Sequence, residues 1–193
     1  MPLDIVVLGP PGAGKGTQAK LIEADRGIPQ IATGDILRAA VAAGSELGLR
    51  VKAILDRGDL VPDELMIELI RGKLSEDETK GGFVLDGFPR TLAQAEALDA
   101  MLAEFGRRLA LALEFHVPEE VAVERLLGRA RAEGRTDDAP EVIRHRLEVF
   151  GAQTGPVLEH YRAQGILVAV HAQRPVEEVQ AEVQQALDAA ESR

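Results

Sequence analysis

The chain has 193 residues, with 22 basic and 32 acidic side chains, a formal charge of −10 and no cysteine. That length can bury a core without disulfides or metals, and the missing thiols exclude a disulfide framework and thiolate zinc sites. So acidic a surface repels nucleic acid and anionic membrane, which leaves neither as an expected partner and requires any anionic substrate to find a local basic pocket.

Met1-Pro2-Leu3-Asp4 runs directly into an apolar segment, with no basic leader and no apolar stretch near the roughly 18 residues of a membrane span. The expectation is one cytoplasmic globular unit over residues 1–193. Residues 3–8 form a run, apolar but for Asp4, that suits a strand buried on both faces of a parallel sheet. Glycines follow, then a helix over about 15–25. A second short apolar piece, 28–31, leads to Thr33-Gly34-Asp35, a turn and cap signal before an alanine-rich helix. Gly44-Ser45 and Gly58-Asp59 punctuate two short helices, and Pro62 suits the first turn of another. Gly81-Gly82 break the chain before the buried strand Phe83-Val84-Leu85, which stops at Asp86. Downstream the spacing predicts a helix over 92–105, a strand over 109–116 and a helix opened by Pro118-Glu119-Glu120. The charged stretch 129–138 interrupts that helix. A long amphipathic helix to about 163, a strand over 166–171 and a final helix started by Pro175 complete the alternation.

Strands alternating with helices predict an α/β fold, a five-stranded parallel sheet with helices on both faces, whose ligands bind beyond the carboxyl ends of the strands. Residues 33–61 and 128–138 lie off this rhythm and are candidate mobile flaps. The histidines, His116, His145, His160 and His171, are scattered rather than set at ligand spacing.

Gly9-Pro10-Pro11-Gly12-Ala13-Gly14-Lys15-Gly16-Thr17 sits between the first strand and its helix, the context a phosphate-binding loop requires. Its glycines let backbone N–H groups of Gly12, Ala13, Gly14 and Gly16 turn toward phosphates, and the helix N-terminus adds partial positive charge. Lys15 would reach the β and γ phosphates. The usual pattern has Ser or Thr directly after the lysine; here Gly16 intervenes, so Thr17 is a less secure magnesium ligand. Asp86, at a strand tip, can hold Mg²⁺ through its water shell, and Arg90, four residues on, adds a permanent cation suited to a second phosphate. Six arginines, Arg125, Arg129, Arg131, Arg135, Arg144 and Arg146, fall within 22 residues of an acidic chain. For Arg131 and Arg144 a solvated basic face is the simpler reading.

Residues 9–18 and 83–94 resemble the phosphate loop and the signature segment of the adenylate kinases, and the likeness extends over nearly the whole chain. An apolar triplet followed by Asp86-Gly87-Phe88-Pro89-Arg90, three residues and Gln94 is highly specific to nucleoside monophosphate kinases. The resemblance implies the P-loop fold, a monomer, and reversible Mg²⁺-dependent transfer of the terminal phosphoryl group of ATP to AMP, giving two ADP, in adenine nucleotide homeostasis. It implies AMP contacts at Thr33 and Arg38, at Asp59, Leu60 and Val61 lining the base pocket, and at Gly87, Phe88, Pro89, Arg90 and Gln94. By the same resemblance Arg125 and Arg129 bind ATP phosphates, Arg135 and Arg146 span toward AMP and the transferring group, and Arg174 offers its backbone to the adenine of ATP. Residues alone read Thr33 as a helix cap and Arg38 as a surface arginine. Many bacterial members carry a longer lid with a zinc-binding cysteine cluster; the quick passage from Gly134 to Asp138 into the next helix implies a short lid without structural zinc.

Two alternatives remain open at this level. A P-loop switch would share the loop and the strand-tip aspartate, but a GTPase normally carries an Asn-Lys-x-Asp guanine reader and this chain has no asparagine. In related UMP/CMP kinases the positions of Gln94 and Thr33 are usually asparagine and alanine, so the pair here favours AMP.

Overall fold

The computed structural model describes residues 2–133 and 139–192, apart from the side chain of Glu133. Strands β1 (Leu3–Leu8), β2 (Gln30–Ala32), β3 (Gly82–Asp86), β4 (Leu111–His116) and β5 (Leu167–His171) form one sheet in the order β2-β3-β1-β4-β5. Every pairing is parallel, which demands a crossover between neighbours and explains the intervening helices. These are α1 (Lys15–Arg26), α2 (Thr33–Ala42), α3 (Glu46–Arg57), α4 (Asp63–Leu74), α5 (Leu92–Glu104), α6 (Glu119–Glu133), α7 (Pro140–Ala163) and α8 (Val176–Glu191), with a short 3-10 turn at Asp77–Thr79.

Alternation along the strands divides the core in two. Val6 and Leu8 join Phe83 and Leu85 in a cluster covered by Met66 and Ile70 of α4, Leu98 and Met101 of α5, and Val157 of α7. Ile5 and Val7 join Val84, Leu113 and Phe115 beneath Ile22 of α1 and Val183 and Leu187 of α8. A strand buried on both faces has no polar side, which is why β1 reads as an apolar run.

Some boundaries differ from those the sequence suggests. β4 begins at Leu111 and β5 at Leu167, not at 109 and 166. α6 runs on through Glu133, past the interruption expected at residue 129, because the segment is built almost wholly of Glu, Ala, Leu, Val and Arg, and most of these are strong helix formers. Thr33 is not the cap of α2: Ala32 occupies that position without a side-chain bond, and Thr33 is already helical. Of the second flap expected over 128–138, residues 128–133 belong to α6, and 134–138, with Arg135 among them, lie outside the described residues.

One residue breaks the apolar run of β1. Asp4 is fully buried, and its carboxylate accepts from Arg107 through Nε at 2.9 Å and through the other guanidinium arm. The same guanidinium lies 5.4 Å from the centre of the Phe83 ring. Burial pushes the Asp4 carboxyl up from its ordinary range while Arg107 pulls it back down. The pair pins the turn after α5 to the sheet at the end of β1 remote from the glycine loop.

Tyr161 of α7 is a contrasting case. Its ring is fully buried in the cluster around Val157, and its hydroxyl meets no hydrogen-bond partner among the described residues. Burial also pushes its phenol well above the ordinary range. An unpaired buried hydroxyl costs about 1–3 kcal/mol. Tyr161→Phe is therefore expected to raise the thermal midpoint by roughly 2–12 °C, read by calorimetry, with unchanged activity; a fall in the midpoint would show that the hydroxyl is satisfied.

Candidate active site

Beyond the carboxyl ends of β1 and β3 lies a cleft of about 510 Å³, within the range of small-molecule sites. The loop between β1 and α1 forms its floor. Gly12 has φ +82°, and a Cβ there would stand 2.4 Å from the Ala122 carbonyl oxygen of α6, so only glycine fits. Lys15 Nζ donates to the carbonyls of Gly9 and Pro10, at 2.8 Å each, drawing the loop around itself. Burial lowers the Lys15 ammonium to about 8; Asp86 opposes the shift, and the charges of Arg90, Arg146 and Arg129 add to it.

The glycine that follows the lysine has a structural reason. A Cβ at residue 16 would stand 3.2 Å from Asp86 Oδ2, so Gly16 lets the β3 tip approach the start of α1. Thr17 is exposed but still lines the cleft. Gln18, nearly buried, donates through Nε2 to the Val176 carbonyl at 3.1 Å and ties α1 to the start of α8.

Arginines supply the walls. Arg125 of α6 donates to the Ala172 carbonyl at 2.9 Å and passes beside Gly14, while Arg129 of α6 and Arg146 of α7 also line the cleft. Arg90 donates through Nε to the Gly87 carbonyl at 2.9 Å. Burial lowers it to about 10, with Arg146 and Arg38 adding to the shift and Asp86 opposing it. An acidic protein thus lines this one cleft with a cluster of cations. Arg131 and Arg144 are exposed and line neither this cleft nor the smaller one, as the solvated reading expected.

The smaller cavity, of about 50 Å³, adjoins the cleft and shares Gly34, Arg38, Gly58, Leu60, Gly87, Arg90 and Arg146 with it. Thr33 is buried and donates its hydroxyl to the Asp86 carbonyl at 3.1 Å. Gly87 has φ +89°, and a Cβ on it would meet Thr33 Oγ1 at 2.4 Å. Arg38 donates to Asp35 Oδ1 at 2.6 Å and lines both spaces. Leu60, Val61 and Met66 give an apolar wall. Phe88 and Pro89 line the larger cleft, with Phe88 fully buried and a cis peptide between them. Asp59 lines the smaller cavity, but its carboxylate accepts from Arg57 Nε at 2.8 Å and meets His145 Nε2 at 2.7 Å.

Gln94 is 2% exposed and lines the smaller cavity. Its Oε1 accepts from the Arg90 N–H at 2.7 Å and its Nε2 donates to Asp63 Oδ1 at 2.7 Å. Asp63 was not visible as a site residue, because an acid just after Pro62 reads as an ordinary first-turn residue of α4. Glu182 was missed likewise: it pairs with Arg174 and accepts from the His171 N–H at 3.0 Å, while Arg174 Nε donates to the His171 carbonyl at 3.1 Å. No local pattern in α8 announces that contact.

The family model described as adenylate kinase matches residues 7–166. The chain belongs to the adenylate kinase family. It is 50% identical over 189 residues to an adenylate kinase of Thermobifida fusca, an alignment covering 98% of each chain. It is 50% identical over 186 residues to one of Caulobacter vibrioides, covering 96% of this chain and 97% of the relative. An adenylate kinase of Leifsonia xyli is 51% identical over 175 residues, covering 91% and 88%. Members of the family bind nucleotide substrates, and the chain is a phosphotransferase that acts between ATP and AMP. Among the described residues no helix is long and apolar enough to cross a membrane.

Proposed function

We infer that the larger cleft holds Mg-ATP and the smaller cavity AMP, and that the terminal phosphoryl group passes between them where Arg90, Arg146 and Lys15 converge. The observation that carries this reading is the contact of both spaces with the same three half-buried arginines, Arg38, Arg90 and Arg146. Phosphoryl transfer needs little covalent help; it needs two anions in line and charge stabilised on the transferring oxygens. In this reading the loop N–H groups of residues 12–17 and Lys15 grip the donor, with Arg125 and Arg129 on its phosphates and the Arg174 backbone against its adenine. The Arg174 side chain is spent on holding its own loop through Glu182 and His171, which supports a backbone role. Arg38 and Arg90 hold the AMP phosphate, and Thr33, Gln94 and residues 59–61 receive its base. Residues 33–61 serve as the AMP flap and 128–138 as a short lid carrying Arg135. The AMP phosphate is itself the nucleophile, so no general base is required.

Asp86 fits a magnesium ion, since its carboxylate lies against Gly16 beside the lysine of the phosphate loop, and Mg²⁺ usually keeps most of its water and takes one or two carboxylates. Asp86 would hold it through water, with Thr17 as a further hydroxyl. The ion would neutralise charge on the phosphates of the donor. We further place the protein in the cytoplasm as a monomer.

A coupled assay of ATP against AMP, CMP, UMP and GMP tests the acceptor, with AMP expected to be preferred; equal rates with CMP or UMP would make it a UMP/CMP kinase. Two adenosines joined through five phosphates should fill both spaces at once. At about 1,000 times its dissociation constant a ligand adds roughly 4 kcal/mol of stability, and the gain should shrink in Arg129→Ala. No thermal shift with this compound while ATP still binds would leave a single-site switch.

A further inference from the structure

We propose that Asp63 is a positioning residue that sets the orientation of the Gln94 carboxamide and so selects a 6-amino over a 6-oxo purine. The proposal rests on Gln94 being the base reader of the acceptor cavity. Asp63 stands behind Gln94 and lines neither cavity itself.

The argument is one of donors and acceptors. An ionised carboxylate only accepts hydrogen bonds, and a backbone N–H only donates. Gln94 lies between one of each: Nε2 donates to Asp63 Oδ1 and Oε1 accepts from Arg90 N–H, both at 2.7 Å. Turning the amide over would set oxygen against carboxylate and NH₂ against N–H, so both neighbours reject it. Asp63 is fixed in turn. Thr91 Oγ1 donates to Asp63 Oδ1 and Oδ2 at 3.0 and 3.1 Å and accepts from the Gln94 N–H at 3.3 Å, which closes a ring of three residues. The carboxylate also sits in the first turn of α4, where the helix dipole favours its charge.

After these bonds Gln94 retains one N–H on Nε2 and one lone pair on Oε1. A 6-aminopurine edge offers an amine donor and a ring-nitrogen acceptor, the complement of that pair. A 6-oxopurine offers a carbonyl and a ring N–H, which would need the reversed amide. Asp63 therefore makes the wrong base costly without touching it, and a site whose buried polar groups are left unpaired can discriminate strongly.

The experiment compares AMP and IMP as acceptors in wild type, Asp63→Ala, Asp63→Asn and Gln94→Ala, with thermal melts to establish folding. Asp63→Ala is expected to raise KM for AMP by about ten-fold, leave KM for ATP unchanged and cut the AMP-to-IMP ratio of kcat/KM by about ten-fold. Asp63→Asn keeps an acceptor oxygen for Nε2 and should restore most of the ratio. If Asp63→Ala does not fold, Asp63→Ser, whose hydroxyl falls short of Nε2, is measured in its place. An unchanged AMP-to-IMP ratio in Asp63→Ala beside a collapsed ratio in Gln94→Ala overturns the role of Asp63 alone. Equal rises in KM for AMP and ATP also overturn it, since they mark general damage. An unchanged ratio in Gln94→Ala removes the base-reading premise.

Discussion

Lys15→Ala is expected to fold and to lose turnover by a factor on the order of 10²–10³, since one preorganised donor to a developing charge is worth about 3 to 4 kcal/mol. The side chain now holds the Gly9 and Pro10 carbonyls, so part of the loss is loop shape and part is charge. The pH profile separates the two. With its ammonium lowered to about 8 by burial, Lys15 is charged below that pH and neutral above it in the free enzyme. Phosphate binding favours the charged form, so KM for ATP should rise as pH climbs through 8, and calorimetry in buffers of different ionisation heat should show proton uptake on binding. Lys15→Arg stays cationic and should abolish the rise. Near-normal turnover in folded Lys15→Ala would refute the assignment of the loop.

Arg107→Ala is expected to be the most destabilising single change outside the site. It leaves the Asp4 carboxylate fully buried and without its guanidinium, a loss of about 3–5 kcal/mol and roughly 10 °C or more in thermal midpoint. The sign with pH follows from the raised carboxyl. In the variant the folded state binds its proton more tightly than the unfolded chain, so stability returns as pH falls through the folded pKa and is fully restored below the unfolded value near 3.8. Arg107→Met with Asp4→Leu should recover most of the loss, because a buried pair can be exchanged for apolar contacts of similar volume. Equal stability of Arg107→Ala and wild type at pH 7 would show that the carboxyl is already neutral.

The contrast between these residues shows what a sequence can carry. The placement of Lys15 and Asp86 in the cleft was legible because each falls in a local pattern, Lys15 at the start of the helix after a glycine-rich loop and Asp86 at the end of a buried strand. The sheet was legible for a related reason, since its central strands β1 and β3, buried on both faces, print apolar runs that only Asp4 interrupts before their ends. Arg107, Glu182 and Asp63 left no such trace. Their partners lie 103, 8 and 31 positions away respectively, and only packing brings them together. Thr33 misled for the same reason: its residue type suits a local cap, whereas its partner is a carbonyl 53 positions along the chain. Arg125, Arg129 and Arg146 showed as a charge excess, but their distribution around one cleft depends on how α6 and α7 pack.

Asp86 has a consequence of a different kind. Its register sets it beside Val7 on one side and Ala32 on the other, its carboxylate lies against Gly16, and its own carbonyl holds Thr33. The two proposed nucleotide pockets are thereby referenced to a single residue at the carboxyl end of β3, next to the central strand β1. On the proposed assignment of the two pockets, motion of outlying segments would change how often both are filled, while the gap across which the phosphoryl group travels would still be gauged by this one residue. An engineer wishing to lengthen that gap for a bulkier acceptor would have to rebuild the sheet at position 86; redesigning the flaps would alter traffic through the site and leave its ruler untouched.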